Sequence, residues 1–167
     1  MKTREMRKKE GLVTSREEIT TILDRCERCR LGFSEDGIPY VIPMNYGYTF
    51  DNDVLTLFFH GASEGRKIDI ISKNPLVCFE VDCEYRLNPD DSPERHAVKW
   101  ESIVGTGTIE YVTDFNEKRM ILGNMMRKFR RYNPLYRPTP LTDDRVIHVT
   151  IFKLALDEFQ AKRVQHI

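Results

Sequence analysis

Val98-Lys99-Trp100-Glu101-Ser102-Ile103-Val104-Gly105-Thr106-Gly107-Thr108-Ile109-Glu110-Tyr111-Val112 is a long β-prone run with two glycines near its middle. Glycine inside a strand marks a bulge or a close backbone approach. The run is therefore predicted to bend, as a strand does when it wraps around a barrel.

Reading outward toward the N-terminus, Leu76–Val81 is a further strand, and the polar, proline-containing stretch from Glu84 to Arg95 reads as a loop. Val54–Phe59 is apolar apart from Thr56. Ile38–Tyr48 is a strand long enough to bend, and Arg28–Phe33 precedes it across Ser34-Glu35-Asp36-Gly37, whose Asp-Gly pair suits a tight hairpin. Ser15 and Glu18 make a capping box ahead of Ile19, Ile22, Leu23 and Cys26, the spacing of one helical face. A short helix ends at Lys73, before Asn74-Pro75.

Toward the C-terminus, Asp114 caps a helix through about Phe129, with Met120, Ile121, Met125 and Phe129 on its apolar side. Asn133–Asp144 is a proline-rich loop, and Arg145–Leu156 reads as the last long strand. About six strands joined mostly by short turns, with three helices, favour an antiparallel barrel with helices outside over a parallel α/β sheet.

The 167 residues fit one domain, from residue 14 to 167, behind a charged N-terminal arm of residues 1–13. Lys+Arg and Asp+Glu number 26 each, so the charge balance points to neither nucleic acid nor an anionic membrane surface. No apolar run approaches the roughly 20 residues of a membrane helix, and the N-terminus lacks a signal-peptide core. A soluble, cytoplasmic protein is expected. Cys26, Cys29, Cys78 and Cys83 supply enough thiolates for a zinc site, but they sit in a chain that can bury a core; free thiols are the expectation, with no metal.

The chemistry concentrates between His60 and Lys67. A serine, a glycine and two cations at a helix start bring together backbone N–H groups, a hydroxyl and positive charge, the elements of a phosphate cradle; the alternative is an ordinary solvated helix start. Upstream, Met44-Asn45-Tyr46 interrupts an apolar strand with one amide that can meet a ligand edge or equally satisfy the barrel backbone. His60, at a strand end just before the cradle, is placed to donate to a carbonyl or a substrate anion, or to serve as a structural hydrogen-bonder. There is no dinucleotide fingerprint, Walker loop or recognisable nucleophile, which disfavours hydrolysis.

His60-Gly61-Ala62-Ser63-Glu64-Gly65-Arg66-Lys67 followed by Asn74-Pro75 resembles the flavin-phosphate segment of the pyridoxamine-phosphate-oxidase superfamily, in particular its nitroimidazole-resistance branch. Gly37–Tyr48, Val77–Val81 and Trp100–Gly107 share that resemblance, which spans roughly Met6 to Leu154. It implies a mainly β fold: a six-stranded antiparallel split β-barrel of the Greek-key, FMN-binding type, working as a homodimer with a flavin at each subunit interface. Ser63, Arg66 and Lys67 would hold the phosphate, Met44, Asn45 and Tyr46 would lie along the ring, and His60 would sit in the active site. Trp100 and Ser102 would approach from the partner subunit, unless Trp100 is core or interface. FMN is the expected cofactor, with FAD accommodated by the same cradle, and a small-molecule acceptor of nitroimidazole type the expected substrate. The rival readings are a flavin carrier or sensor without turnover, and a haem-binding barrel with His60 as axial ligand.

Overall fold

The computed structural model describes residues 9–92, 96–130, 133, 135–137 and 139–165. Most of the charged arm, residues 93–95 of the 84–95 loop and four positions between 131 and 138 lie outside the described residues.

The chain runs from a short 3-10 turn (Lys9–Gly11) through β1 (Leu12–Val13), α1 (Arg16–Arg25), β2 (Arg28–Glu35), β3 (Ile38–Asn45), β4 (Gly47–Asp51) and β5 (Val54–Gly61). It continues through α2 (Arg66–Lys73), β6 (Leu76–Asn88), β7 (Ala97–Val112), α3 (Phe115–Phe129), α4 (Asp143–His148) and β8 (Thr150–Gln165). Among the described residues every strand pairing is antiparallel, in the order β3-β2-β6-β7-β8-β5-β4, with β1 beside β8. β3 and β4 are the two edges of this sheet, yet Tyr46 alone separates them in the chain. The sheet must therefore curl until its edges approach, and that is the barrel.

Local chemistry sets the corners. At the β2–β3 turn Asp36 and Gly37 have φ of 51° and 81°, the two positive angles that a two-residue hairpin matching the strand twist requires. Ser15 Oγ accepts from Glu18 N–H at 3.4 Å to start α1, and Asp114 accepts from Glu117 N–H at 2.8 Å to start α3. Inward residues of alternate register, among them Leu31, Phe33, Leu55, Leu57, Phe59, Phe79, Ile103 and Leu154, fill the barrel with Ile22 and Leu23 of α1. A second cluster lies under α3 and α4, where Phe58, Val112 and Ile151 meet Ile121, Met125 and Val146.

The glycines of the long β7 run have the steric role expected of them. A Cβ at Gly105 would lie 2.5 Å from Glu158 O and from a ring carbon of Phe79, and one at Gly107 would collide with Ala155 O. The β7–β8 register slips between Thr106 and Gly107. The strand bends there because no side chain holds the two backbones apart.

Three expectations are corrected. Among the described residues there are eight strands and not six, because the Ile38–Tyr48 run breaks at Tyr46 into β3 and β4, and because Leu12–Val13, read as arm, joins the sheet at Lys162 and Ala161. The 84–95 stretch is strand as far as Asn88: after a bulge at Glu84, where φ is 59°, Arg86, Leu87 and Asn88 pair with Lys99, Val98 and Ala97. Arg145–His148 is the end of α4 and not the start of a strand. Asp143 and Asp144 sit in the first turn, where the helix dipole favours them, and the buried Val146 anchors the turn beneath α3. Among the described residues no helix is long and apolar enough to cross a membrane.

Candidate functional site

α2 starts without help from a side chain. Its N-cap is Gly65, with φ 103° and ψ 173°, a conformation essentially confined to glycine, and no side chain caps the helix. Gly65 O accepts from Ile68 N–H at 2.8 Å and Asp69 N–H at 3.2 Å, while Ser63, Glu64 and Gly65 lie exposed in the bend before it. Open first-turn N–H groups at a helix N-terminus suit an anion. No Cβ contact lies within 4 Å of Gly65, so its backbone conformation, and not crowding, demands the glycine.

Lys67 reaches across to the strand ends. A Cβ placed on Gly61 would lie 3.4 Å from Lys67 Nζ and 3.9 Å from Met44 Cε, so the ammonium, the last residue of β5 and the thioether of β3 form one group. Met44 is half-buried on the barrel core, whereas Asn45 alternates to the exposed face of β3, opposite Arg28. Of the expected residues the structure thus brings Met44 and Lys67 together beside Gly61, while Asn45 turns to the other face of β3 and Ser63 lies in the exposed bend before α2.

Arg66 is already engaged. Its Nε and Nη2 donate to Glu35 Oε2 at 3.0 and 2.9 Å, and its guanidinium lies 4.3 Å from the centre of the Tyr40 ring. Neither partner was legible in the sequence: Glu35 reads as a turn residue of the hairpin and Tyr40 as a strand residue.

His60 Nδ1 is buried without a hydrogen-bond partner among the described residues. An orphaned buried imidazole nitrogen costs on the order of 1–3 kcal/mol, so it is a natural place for a ligand's polar atom. Strand alternation puts His60 on the face of β5 that carries Phe58, and Gly61 on the face that meets Lys67. His60 and Lys67 thus flank the strand end from opposite sides.

Tyr46 is spent on the fold. It is 1% exposed, its hydroxyl donates to Leu23 O at 2.7 Å with Cys26 O at 3.0 Å, and Lys128 Nζ stands 3.2 Å from its ring centre. Its side chain offers a cofactor no surface in this protomer. Trp100 and Ser102 are half-buried on the β7 face that carries the exposed Val104, with Lys162 Nζ 5.1 Å from the Trp100 ring centre. They stand three ladder spacings from β3, about 14 Å at ~4.8 Å each, and do not join the Met44–Lys67 group within one chain.

Among the described residues no three His, Cys, Asp or Glu side chains come together as a metal site. Cys26 and Cys29 are buried, Cys83 is half-buried and Cys78 is exposed, all as free thiols. Burial pushes the Cys29 thiol up to about 12.

A sequence model of the pyridoxamine 5'-phosphate oxidase family matches residues 15–163. Among solved structures, a candidate 5-nitroimidazole antibiotic resistance protein from Bacteroides thetaiotaomicron is 27% identical, with 91% of this chain and 86% of that one covered and a TM-score of 0.75. An FAD- and haem-binding protein from Mycobacterium smegmatis is 19% identical over 94% of this chain and 74% of its own, with a TM-score of 0.76. A flavocytochrome from Azotobacter vinelandii is 21% identical over 98% and 73%, with a TM-score of 0.75. The last two likenesses speak for the fold. No curated protein sequence matches. With the family model spanning nearly the whole described barrel, the chain belongs to the pyridoxamine 5'-phosphate oxidase family.

Proposed function

We propose that this protein binds a flavin, FMN by preference with FAD as the alternative, and uses it to reduce a small organic acceptor of the nitroimidazole type. The observation that carries the reading is the uncapped N-terminus of α2 with Lys67 held beside Gly61 and Met44. The chemistry of this group fits a flavin: N–H groups and an ammonium for a phosphate, then the flat apolar surface of a strand end for a ring. The 27%-identical resistance protein of the same fold supports the substrate class.

When bound, a flavin would supply two-electron transfer between a reductant and the acceptor. The chain's own residues do the rest. The first turn of α2 and Lys67 would hold the phosphate, Ser63 would add its hydroxyl, and Met44 would offer the ring an apolar contact beside Gly61. His60 Nδ1, without a hydrogen-bond partner among the described residues, would be available to hold a proton against a carbonyl or an anionic group that reaches it.

The same reading makes the protein a homodimer with the flavin at the subunit interface. What supports it is that Trp100 and Ser102 lie on the outer face of β7, three strands away from Met44 in the sheet. A second copy laid on that face would bring them to its neighbour's barrel mouth.

The test is the absorbance spectrum of freshly purified protein, then titration with each flavin. Bound oxidised flavin that bleaches anaerobically with reductant and recovers with a nitroimidazole supports the oxidoreductase. Lys67→Ala is expected to weaken flavin binding about tenfold, as loss of one charge-assisted hydrogen bond implies. Protein that binds neither FMN nor FAD overturns the reading.

A further inference from the structure

α3 carries a glycine that its own fold does not require. Gly123 stands in the interior of the helix Phe115–Phe129, where glycine is destabilising relative to alanine. It is not one of the glycines with positive φ, and a Cβ built on it meets nothing within 4 Å among the described residues. Gly105 and Gly107, by contrast, stand where neighbouring backbone excludes a side chain. Neither conformation nor crowding by the described residues accounts for Gly123, and the space above it is open.

That space is a cavity of about 370 Å³, within the roughly 300–1,000 Å³ of small-molecule sites. Gly123, Met126, Arg127 and Arg130 line one side of it, at the i, i+3, i+4, i+7 spacing of a single helical stripe. Thr139, Pro140 and Leu141 form the other side. Both walls are fastened. Arg119 Nη1 donates to Leu141 O at 3.3 Å and its guanidinium pairs with Asp143, while Leu141 packs on the second core cluster. The Tyr136 hydroxyl donates to Met126 Sδ at 3.3 Å.

The charge of the cavity is one-sided: Arg127 and Arg130 line it and no acid does. Neither guanidinium has an ion-pair partner among the described residues, and two like charges one turn apart repel. In the neighbouring polar cavity, which Arg127 also borders, the lining groups already engage the protein. There the Tyr48 hydroxyl donates to Asp24 Oδ1 at 2.6 Å, Lys128 Nζ to Cys26 O at 2.9 Å, and Arg16 to Phe50 O. The helix dipole accounts for basic residues in the last turn of α3. It does not account for a bare glycine one turn earlier.

We propose that this cavity binds a small aromatic carboxylate, with the ring over Gly123 and the carboxylate held by Arg127 and Arg130. A guanidinium suits both halves of such a ligand, because it forks onto a carboxylate through two N–H bonds and stacks on aromatic faces. Met126, Pro140 and Leu141 supply apolar surface, Thr139 a hydroxyl, and the missing side chain at position 123 the room for a ring. An inorganic anion would leave the apolar half of the wall unused. The cavity shares no residue with the Met44–Lys67 group, so the inference stands whether or not a flavin binds.

Calorimetric titration of the full chain with 2-naphthoate, and with 2-naphthamide as its neutral match, tests this. Naphthoate is expected to occupy one site per chain, and the amide to bind about tenfold more weakly, as loss of one charge-assisted hydrogen bond implies. Arg127→Ala and Arg130→Ala should each weaken naphthoate by a similar factor. Gly123→Leu fills the cavity and replaces a poor helix former with a good one. It is expected to keep or raise the thermal midpoint while removing naphthoate binding; should it fail to fold, the two arginine variants decide. The proposal is overturned if naphthoate does not bind, if the amide binds as tightly, or if the folded variants bind naphthoate as the wild type does. It is equally overturned if saturating FMN or Lys67→Ala abolishes naphthoate binding, which would put the probe in the flavin site.

Discussion

Glu35, the last residue of β2, holds Arg66 of α2 through two hydrogen bonds to one carboxylate oxygen, with Tyr40 stacked beneath the guanidinium. The cation expected to meet a phosphate is thereby partly neutralised. Both side chains are partly in water, 52% and 30% exposed, so the pair is worth at most about 1 kcal/mol. Glu35→Gln is expected to tighten flavin binding by up to about fivefold, the equivalent of that energy. Fluorescence titration checks it, and weaker binding in the variant would mean that Glu35 aims Arg66 at the phosphate.

Gly65→Ala tests the cradle through its backbone. A side chain at φ 103° and ψ 173° costs of order 1–3 kcal/mol, or forces the bend to rearrange. The variant is expected to lose several degrees in thermal midpoint and to bind flavin more weakly, read by calorimetry and titration together. Alanine tolerated without either change would show that the bend adapts freely.

Tyr46→Phe separates fold from site. The buried hydroxyl bonds the carbonyls at the end of α1, so its loss should cost about 1–3 kcal/mol of stability. Flavin affinity should stay unchanged once the variant is folded. A selective loss of affinity would return Tyr46 to the site.

Glu101 gives the pH dependence. It is 1% exposed; burial opposes its charge, but the hydrogen bond and attraction of Arg163, joined by Arg25, outweigh this and hold the carboxyl below its ordinary value. Arg163 Nε donates to it at 2.6 Å and Arg25 Nη1 at 2.9 Å. A depressed folded value stabilises the protein above the unfolded carboxylate value of about 4.3, and that contribution fades as pH falls through the lower folded value. Glu101→Gln is expected to lose roughly 2 kcal/mol at neutral pH, with the gap to wild type closing in acid. Thermal midpoints of both proteins from pH 7 to pH 3 check it.

The sequence by itself determined what depends on near neighbours. The glycines of β7 signalled the close approach to β8, Ser15 and Asp114 the helix starts, Asp36-Gly37 the hairpin, and Asn74-Pro75 the end of α2, because each needs only local geometry and a residue type suited to it. The helix at Asp143–His148 was hidden because its alternating apolar residues fit a strand equally well, and Val146 packing beneath α3 decided between them. The tertiary structure alone decided that Tyr46 faces inward and that Arg66 meets Glu35 and Tyr40. Those partners are far apart in the chain, and their meeting depends on how one sheet curls until β3 and β4 close on each other, a relation that residue spacing does not encode.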